Sequence, residues 1–217
     1  MQSRDLAKVR DDLARDGWSC QRGNLQQLRT ALALSNGWSP LQNRPGASRQ
    51  STTLRPFATA DAPPHSLSAV YGMGRQPLHT DGAHIVDPPD VIVLHSKAPS
   101  TTPTVVHKPG WGLPECLTTG IFTVHGNHNT FLTPARTARR FRFDPVVMTP
   151  GDHHAREAIV YFERMRAPET VYSHDWSESD MLLFIDNRSA LHARDAIASG
   201  DEGRRIERLA LKVERLQ

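Results

Sequence analysis

Apolar positions come in short runs that polar residues, proline and glycine interrupt every few positions. Near the N-terminus Leu6, Val9 and Leu13 stand at helical spacing and predict an amphipathic helix over residues 5–16. A short strand around Trp18 follows, then a second helix over residues 25–35 that Asn36-Gly37 terminates. Residues 38–64 are rich in Ser, Thr, Pro and Gly and read as loop. Beyond them β-like runs dominate, at 66–71, 91–95, 105–107, 121–124, 181–185 and 206–213, with one more helix over 152–164. No internal repeat is present. Short, punctuated strands behind a helical N-terminal segment predict a mainly β protein with flanking helices, a sandwich or jelly roll.

Composition narrows this picture. A chain of 217 residues and 24.2 kDa is the size of one domain. Charge is balanced, 26 basic against 23 acidic residues, and apolar residues are spread throughout, which argues against long disorder. The longest apolar runs, such as 181–185, are five residues, against roughly 20 for a membrane helix. The first residues, Met1-Gln2-Ser3-Arg4-Asp5, hold no apolar core of a secretory signal, so a cytoplasmic location is expected. Cys20 and Cys116 are far apart and form no CxxC pair, which excludes a disulfide framework or a cysteine-based zinc site. The pI is near 9.1, but the net charge is only +3 and the arginines are scattered, densest at 136–142 and 204–208. No nucleic-acid partner is expected from that pattern.

Candidate chemistry begins at His79-Thr80-Asp81. In a strand, residues two apart share a face, so an imidazole and a carboxylate converge there. That is two-thirds of a 2-His-1-carboxylate triad, the set that holds non-haem Fe(II) and leaves positions open. The motif alone is weak, since this composition yields about 0.8 such matches by chance. A third ligand has to come from a strand folded back beside the first. The apolar run 181–185, a turn at Asp186-Asn187-Arg188 and then His192 supply one. Further on, Arg204, Ile206, Arg208 and Ala210 alternate with Arg205, Glu207, Leu209 and Leu211. Arg204 and Arg208 then share a face, and two inward guanidinium groups need an anion. A dicarboxylate answers that need by two-pronged pairing.

At these residues the sequence resembles the Fe(II)/2-oxoglutarate-dependent dioxygenases of the taurine dioxygenase, TfdA and clavaminate synthase-like group. The proximal stretch carries Gly72, Gly74, Pro77-Leu78-His79-Thr80-Asp81-Gly82-Ala83-His84 and Pro88-Pro89 before an apolar strand. The distal stretch carries Asp180, Ile185-Asp186-Asn187, Leu191-His192-Ala193-Arg194 and Arg204-Arg205-Ile206-Glu207-Arg208. The resemblance implies a double-stranded β-helix (cupin-like jelly roll) over 65–217, a short insert around 108–140, and N-terminal helices and loop over 1–64, all within one domain 1–217. It implies Fe(II) held by His79, Asp81 and His192, with 2-oxoglutarate and O2 as co-substrates. Arg204 would pair with the far carboxylate of 2-oxoglutarate. Thr104 would contact the same molecule, with Thr102 as rival because Thr101-Thr102-Pro103 stands where the family usually has glycines. Arg208 would bind the co-substrate, reach the primary substrate or form a structural ion pair. Members that halogenate lack the carboxylate ligand, so Asp81 implies hydroxylation or desaturation of an aliphatic C–H, with release of succinate and CO2.

The interval of 113 positions from His79 to His192 is short for this group. It implies either an exposed pocket or a homodimer whose second subunit helps enclose the substrate. The expected substrate is a small molecule: an amino acid, a related amine or acid, or a natural-product intermediate. A cupin-like metalloenzyme without 2-oxoglutarate would not need Arg204 and Arg208, and a non-catalytic jelly-roll binder would not need an intact triad. Outside the triad, His84 faces either the substrate or the core. His153-His154 reads as a solvated helix start, His125 and His128 as a turn, Trp111 and Trp176 as packing, and Arg75 as surface. Neither cysteine has a visible activating partner.

Overall fold

The computed structural model describes residues 3–41, 51–126, 129–165 and 171–214. Helix α1 (Ser3–Asp16) buries the expected stripe of Leu6, Val9 and Leu13. Strand β1 (Trp18–Arg22) leads to α2 (Leu25–Ala33), which opens on a capping box. Asn24 Oδ1 accepts the Gln27 N–H at 3.0 Å, and Gln27 Oε1 accepts the Asn24 N–H at 3.1 Å. Asn24→Ala is expected to cost about 1 kcal/mol. That should appear as a melting temperature lower by about 2–4 °C.

Two expectations fail in the next stretch. Residues 38–64 are not all loop: β2 (Trp38–Pro40) and β3 (Ser51–Leu54) both pair with the last strand, and a 3-10 turn covers Thr59–Asp61. Residues 42–50 lie outside the described residues. Residues 66–71 form a helix, α3 (Leu67–Tyr71), and not a strand. Ser66 Oγ accepts the Ala69 N–H at 3.2 Å and starts it. Gly72, at φ +50°, stops it in a conformation that side chains resist.

The remainder follows as β4 (Val91–Ser96), β5 (Ser100–His107), α4 (Cys116–Thr119), β6 (Ile121–His125), β7 (Thr130–Pro134) and β8 (Met148–Pro150). Helix α5 (His153–Arg164) is capped by Asp152, whose Oδ1 accepts the Ala155 N–H at 2.7 Å. Then come β9 (Tyr172–Trp176), β10 (Met181–Asp186), β11 (Leu191–Arg194) and β12 (Ile206–Val213). Strands β7, β8, β9 and β11 carry too few apolar residues in alternation to stand out in the sequence.

The strands form antiparallel sheets. The largest runs β1-β10-β4-β12-β2, with β3 also on β12; the others run β11-β5-β9 and β7-β6-β8. Alternation in the large sheet decides what faces the site. Val91, Val93, Leu182, Phe184, Leu209 and Leu211 turn outward onto α1 and α2. Ile92, Leu94, Leu183, Ile185, Ile206 and Ala210 turn inward toward β5 and β9. Strand β4 is therefore covered on both faces and buried along its whole length. On β12 the inward set is every second residue, which puts Arg208 between Ile206 and Ala210 on the inner face. Sheet β7-β6-β8, α4 and α5 build a further core around Phe122, Phe143 and Phe162, which closes the far side.

Candidate active site

His79 and His192 meet through one isolated antiparallel bridge. The His79 N–H donates to the His192 carbonyl at 3.0 Å, and the reverse bond is 2.9 Å. His79-Thr80-Asp81 is thus not a continuous strand, as expected from its spacing, but a bridge residue followed by a turn. Gly82 makes the turn at φ +72°; a Cβ there would lie 2.8 Å from Pro89 Cδ. Thr80 points away and ties the turn to Phe143: the Phe143 N–H donates to Thr80 Oγ1 at 3.0 Å.

The structure brings the three expected ligands together. One donor atom each from His79, Asp81 and His192 lies within 4.8 Å of the others. Asp81 Oδ1 is 3.8 Å from His79 Nε2 and 3.9 Å from His192 Nε2. His79 Nδ1 sits 3.0 Å from the Pro77 carbonyl, which can only accept. The Nδ1–H therefore donates outward and Nε2 is the ring nitrogen that faces Asp81. Burial, with His79 beside it, pushes His192 down to about 3 and keeps it neutral. Burial opposes charge on Asp81 too, but the Arg208 guanidinium, hydrogen-bonded to it, holds the carboxyl down at about 2. A divalent metal needs its imidazole ligands neutral and its carboxylate ligand charged.

Behind these groups lie two clamps. Arg208 Nη1 donates to Asp81 Oδ2 at 3.0 Å, so one carboxylate oxygen is taken and the other faces the histidines. Asn187 holds the backbone of the same residue: its Oδ1 accepts the Asp81 N–H at 2.8 Å and its Nδ2 donates to the Asp81 carbonyl at 2.9 Å. Asn187 stands inside the distal motif, but no spacing in the sequence marks it as a partner of Asp81.

The three groups line one end of a cavity of about 340 Å³ that also touches Leu54, His84, Thr104, Asp144, Arg204 and Arg208. Arg204 lies two residues before β12 starts, not on it, yet keeps the inward side. Its guanidinium is buried, which pushes it down to about 10. Among the described residues it forms no ion pair: Nη2 donates to Thr104 Oγ1 at 3.3 Å and Nε has no partner. Thr104 sits on β5, where Trp176 Nε1 also donates to its hydroxyl at 3.0 Å. Thr102 is not in the cavity wall; its hydroxyl accepts the Ala198 N–H at 3.0 Å and its N–H meets Asp201. Arg208 does not stand free beside Arg204 for a shared anion, because Asp81 is its partner.

Asp144 is the other carboxylate in the cavity wall, and nothing in the sequence pattern singled it out. Thr80 and Phe143 carry it there. It accepts the Val146 N–H at 2.9 Å, forms no ion pair among the described residues, and is pushed up by burial. His84 lines the same wall and is pushed down by burial.

The remaining candidates fall elsewhere. Trp176 is fully buried, but Trp111, expected as packing, is fully exposed within an irregular segment. Arg75 pairs with Asp195 at the surface. His153 is exposed beside Glu157 at the start of α5, and His154 meets Thr119. His125 ends β6, while His128 lies outside the described residues. Both cysteines are free, and burial pushes Cys20 up to about 11. No helix among the described residues is long and apolar enough to cross a membrane.

Residues 99–210 match the family described as "Taurine catabolism dioxygenase TauD, TfdA family". No curated protein matches the chain in sequence. Among solved structures, an asparagine oxygenase with Fe(II), a 3-hydroxyasparagine and succinate superposes with a TM-score of 0.72 at 17% identity, over 96% of this chain and 78% of its own. The non-heme iron oxygenase OrfP, as a variant with (3S)-hydroxy-L-arginine, gives 0.68 at 17% identity, over 97% and 80%. OrfP with Fe and α-ketoglutaric acid gives 0.63 at 17% identity, over 95% and 78%. At this identity the likeness is one of fold, the double-stranded β-helix.

Proposed function

The chain belongs to the taurine catabolism dioxygenase TauD, TfdA family, and on that premise we propose that its cavity hydroxylates a free amino acid. It is an Fe(II)- and 2-oxoglutarate-dependent oxygenase that oxidises an aliphatic C–H of a small molecule and releases succinate and CO2. In this reading His79, Asp81 and His192 hold Fe(II), and Arg204 with Thr104 receives 2-oxoglutarate. The observation that carries it is the content of one cavity. A carboxylate and two imidazoles stand in its wall together with a buried guanidinium that forms no direct ion pair among the described residues and whose Nε has no partner.

When bound, Fe(II) supplies the redox chemistry that couples O2 to decarboxylation of 2-oxoglutarate and to C–H oxidation. The chain supplies position. Arg204 fixes the far carboxylate through charge-assisted hydrogen bonds, and Thr104, itself held by Trp176, gives that carboxylate a hydroxyl donor. Arg208 occupies Asp81 Oδ2, so Asp81 offers the metal a single oxygen. Leu94, Val147 and Ile206 give the cavity a dry side. Asp144 is the acceptor for the substrate ammonium: it lacks an ion pair among the described residues and shares the wall with the metal-facing groups.

The test is anaerobic titration with Fe(II) and 2-oxoglutarate, followed by a panel of free amino acids read as succinate release. At least one member should raise succinate well above the substrate-free rate. Asp144→Asn should raise the apparent KM for that amino acid roughly tenfold or more, with 2-oxoglutarate binding unchanged. Succinate release that no amino acid stimulates would remove the amino-acid substrate while leaving the oxygenase.

A further inference from the structure

We infer that Asn187 is the positioning residue for the carboxylate ligand, setting the attitude of Asp81 before metal arrives. This rests on the reading of His79, Asp81 and His192 as the iron site. The side chain of Asn187 is 1% exposed and makes three short bonds across the fold. Besides both bonds to the Asp81 peptide, Nδ2 donates to the Pro89 carbonyl at 3.0 Å, and the Asn187 N–H donates to the Asp90 carbonyl at 3.0 Å. Both Nδ2 hydrogens and Oδ1 are thus engaged, and the amide locks Asp81 on one side and Pro89 on the other, the two ends of the loop that Gly82 opens.

The turn that carries Asn187 is itself built. Asp186 Oδ1 accepts the Arg188 N–H at 3.1 Å and its Nε–H at 2.9 Å, and Asp186 Oδ2 accepts the Ser189 hydroxyl at 2.8 Å. The Ala190 N–H then returns to the Asp186 carbonyl at 2.8 Å, and β11 starts at Leu191 with His192 next. One turn therefore sets two ligands: it delivers His192 along the chain and Asp81 through the Asn187 amide. The two histidines also meet through the backbone bridge, but Asp81 has no ladder partner and sits in a turn. Without Asn187 its backbone would keep only the clamp on its side chain from Arg208, which fixes Oδ2 and leaves the peptide free to tilt. A side-chain amide carries its acceptor and its donors on separate atoms, so it can accept the N–H and donate to the carbonyl of one residue at the same time, and Gln is one methylene longer.

The experiment compares Asn187→Ala and Asn187→Asp with the parent and with His192→Ala. Asn187→Asp keeps the acceptor for the Asp81 N–H and loses both donated bonds. Each apoprotein is checked by circular dichroism and thermal melting, and Fe(II) is then titrated anaerobically by calorimetry, without 2-oxoglutarate or substrate. Folded Asn187 variants should bind Fe(II) roughly 10–100-fold more weakly, the range for loss of a group that orients a metal ligand. A role confined to the fold would lower the melting temperature and leave the Fe(II) dissociation constant within twofold of the parent, and that result overturns the inference. Unfolding of both variants overturns it as well, since Asn187 would then belong to the fold and not to the site. If His192→Ala keeps parental Fe(II) affinity, the iron site itself is misplaced, which is a separate failure.

Discussion

His79→Ala and His192→Ala are each expected to abolish stoichiometric Fe(II) binding while the protein stays folded. The argument is the smallness of the donor set. Three groups within 4.8 Å make one site, and among the described residues no other group of three His, Cys, Asp or Glu side chains gathers in this way. Removing an orienting partner of a ligand costs roughly 10–100-fold in metal affinity, so removing a ligand should cost more. Loss of the fold is not expected, because His192 makes no side-chain hydrogen bond through Nδ1 and the backbone bridge to residue 79 is independent of either ring. A replacement ligand would have to come from the cavity wall. His84 lies there, whereas His95 is buried on β4 between Asp180 and Glu207 and is not part of it. Titration of both variants with Fe(II) under argon checks this. Full binding by both would move the metal off these residues, and full binding by one alone would mark His84 as its substitute.

Much of this site was legible in the sequence because strands convert spacing into direction. The run from Ile206 is long enough for alternation to be read, and Arg208 faces inward with Ile206 and Ala210 as that alternation requires. Where elements are short the rule has nothing to act on. The five residues of α3 span little more than one helical turn, so Leu67, Val70 and Tyr71 look as much like a strand as a helix; the Ser66 cap and Gly72 decide the matter locally. The two-residue spacing of His79 and Asp81 was read as strand geometry, yet a bridge and a turn converge the same groups by another route.

Asp144 and Asn187 were invisible for a different reason. Each acts through a contact that the fold creates and no local pattern encodes: Asn187 reaches 106 positions back to Asp81, and Asp144 is carried in by the stitch between Thr80 and Phe143. A lone Asp or Asn in a sequence with 23 acidic residues carries no signal. Trp111 shows the converse. Its size suggested packing, but Pro109-Gly110 and Gly112-Leu113-Pro114 around it form no element to pack it against, and it stands in solvent.

Arg204→Ala is expected to raise the 2-oxoglutarate requirement roughly tenfold to 150-fold with Fe(II) binding nearly unchanged. A guanidinium–carboxylate pair formed out of water contributes about 1.5–3 kcal/mol, which converts to that range of affinity. The residue meets the conditions for the upper part of it: it is 9% exposed, its Nε has no partner, and its one hydrogen bond is a long one to Thr104. The same isolation predicts the sign of a second effect. A buried cation with no direct ion pair, favoured only through space by Asp201, costs stability, so apo Arg204→Ala should melt no lower than the parent, and added 2-oxoglutarate should stabilise the parent more than the variant. Arg204→Lys should recover little, since an ammonium cannot present two parallel N–H groups to a carboxylate. Arg208 gives the contrast that separates this from a general loss of positive charge. It is committed to Asp81 Oδ2, so Arg208→Ala should weaken Fe(II) first and 2-oxoglutarate only as a consequence. Arg205 points to the carbonyls of Gly203 and Arg204 and should be silent. Calorimetric titration of 2-oxoglutarate into each Fe(II)-loaded variant under argon tells them apart. A silent Arg204→Ala, with the loss carried by Arg208→Ala, would assign the co-substrate to the guanidinium that holds the ligand carboxylate and leave the buried charge of Arg204 without a function.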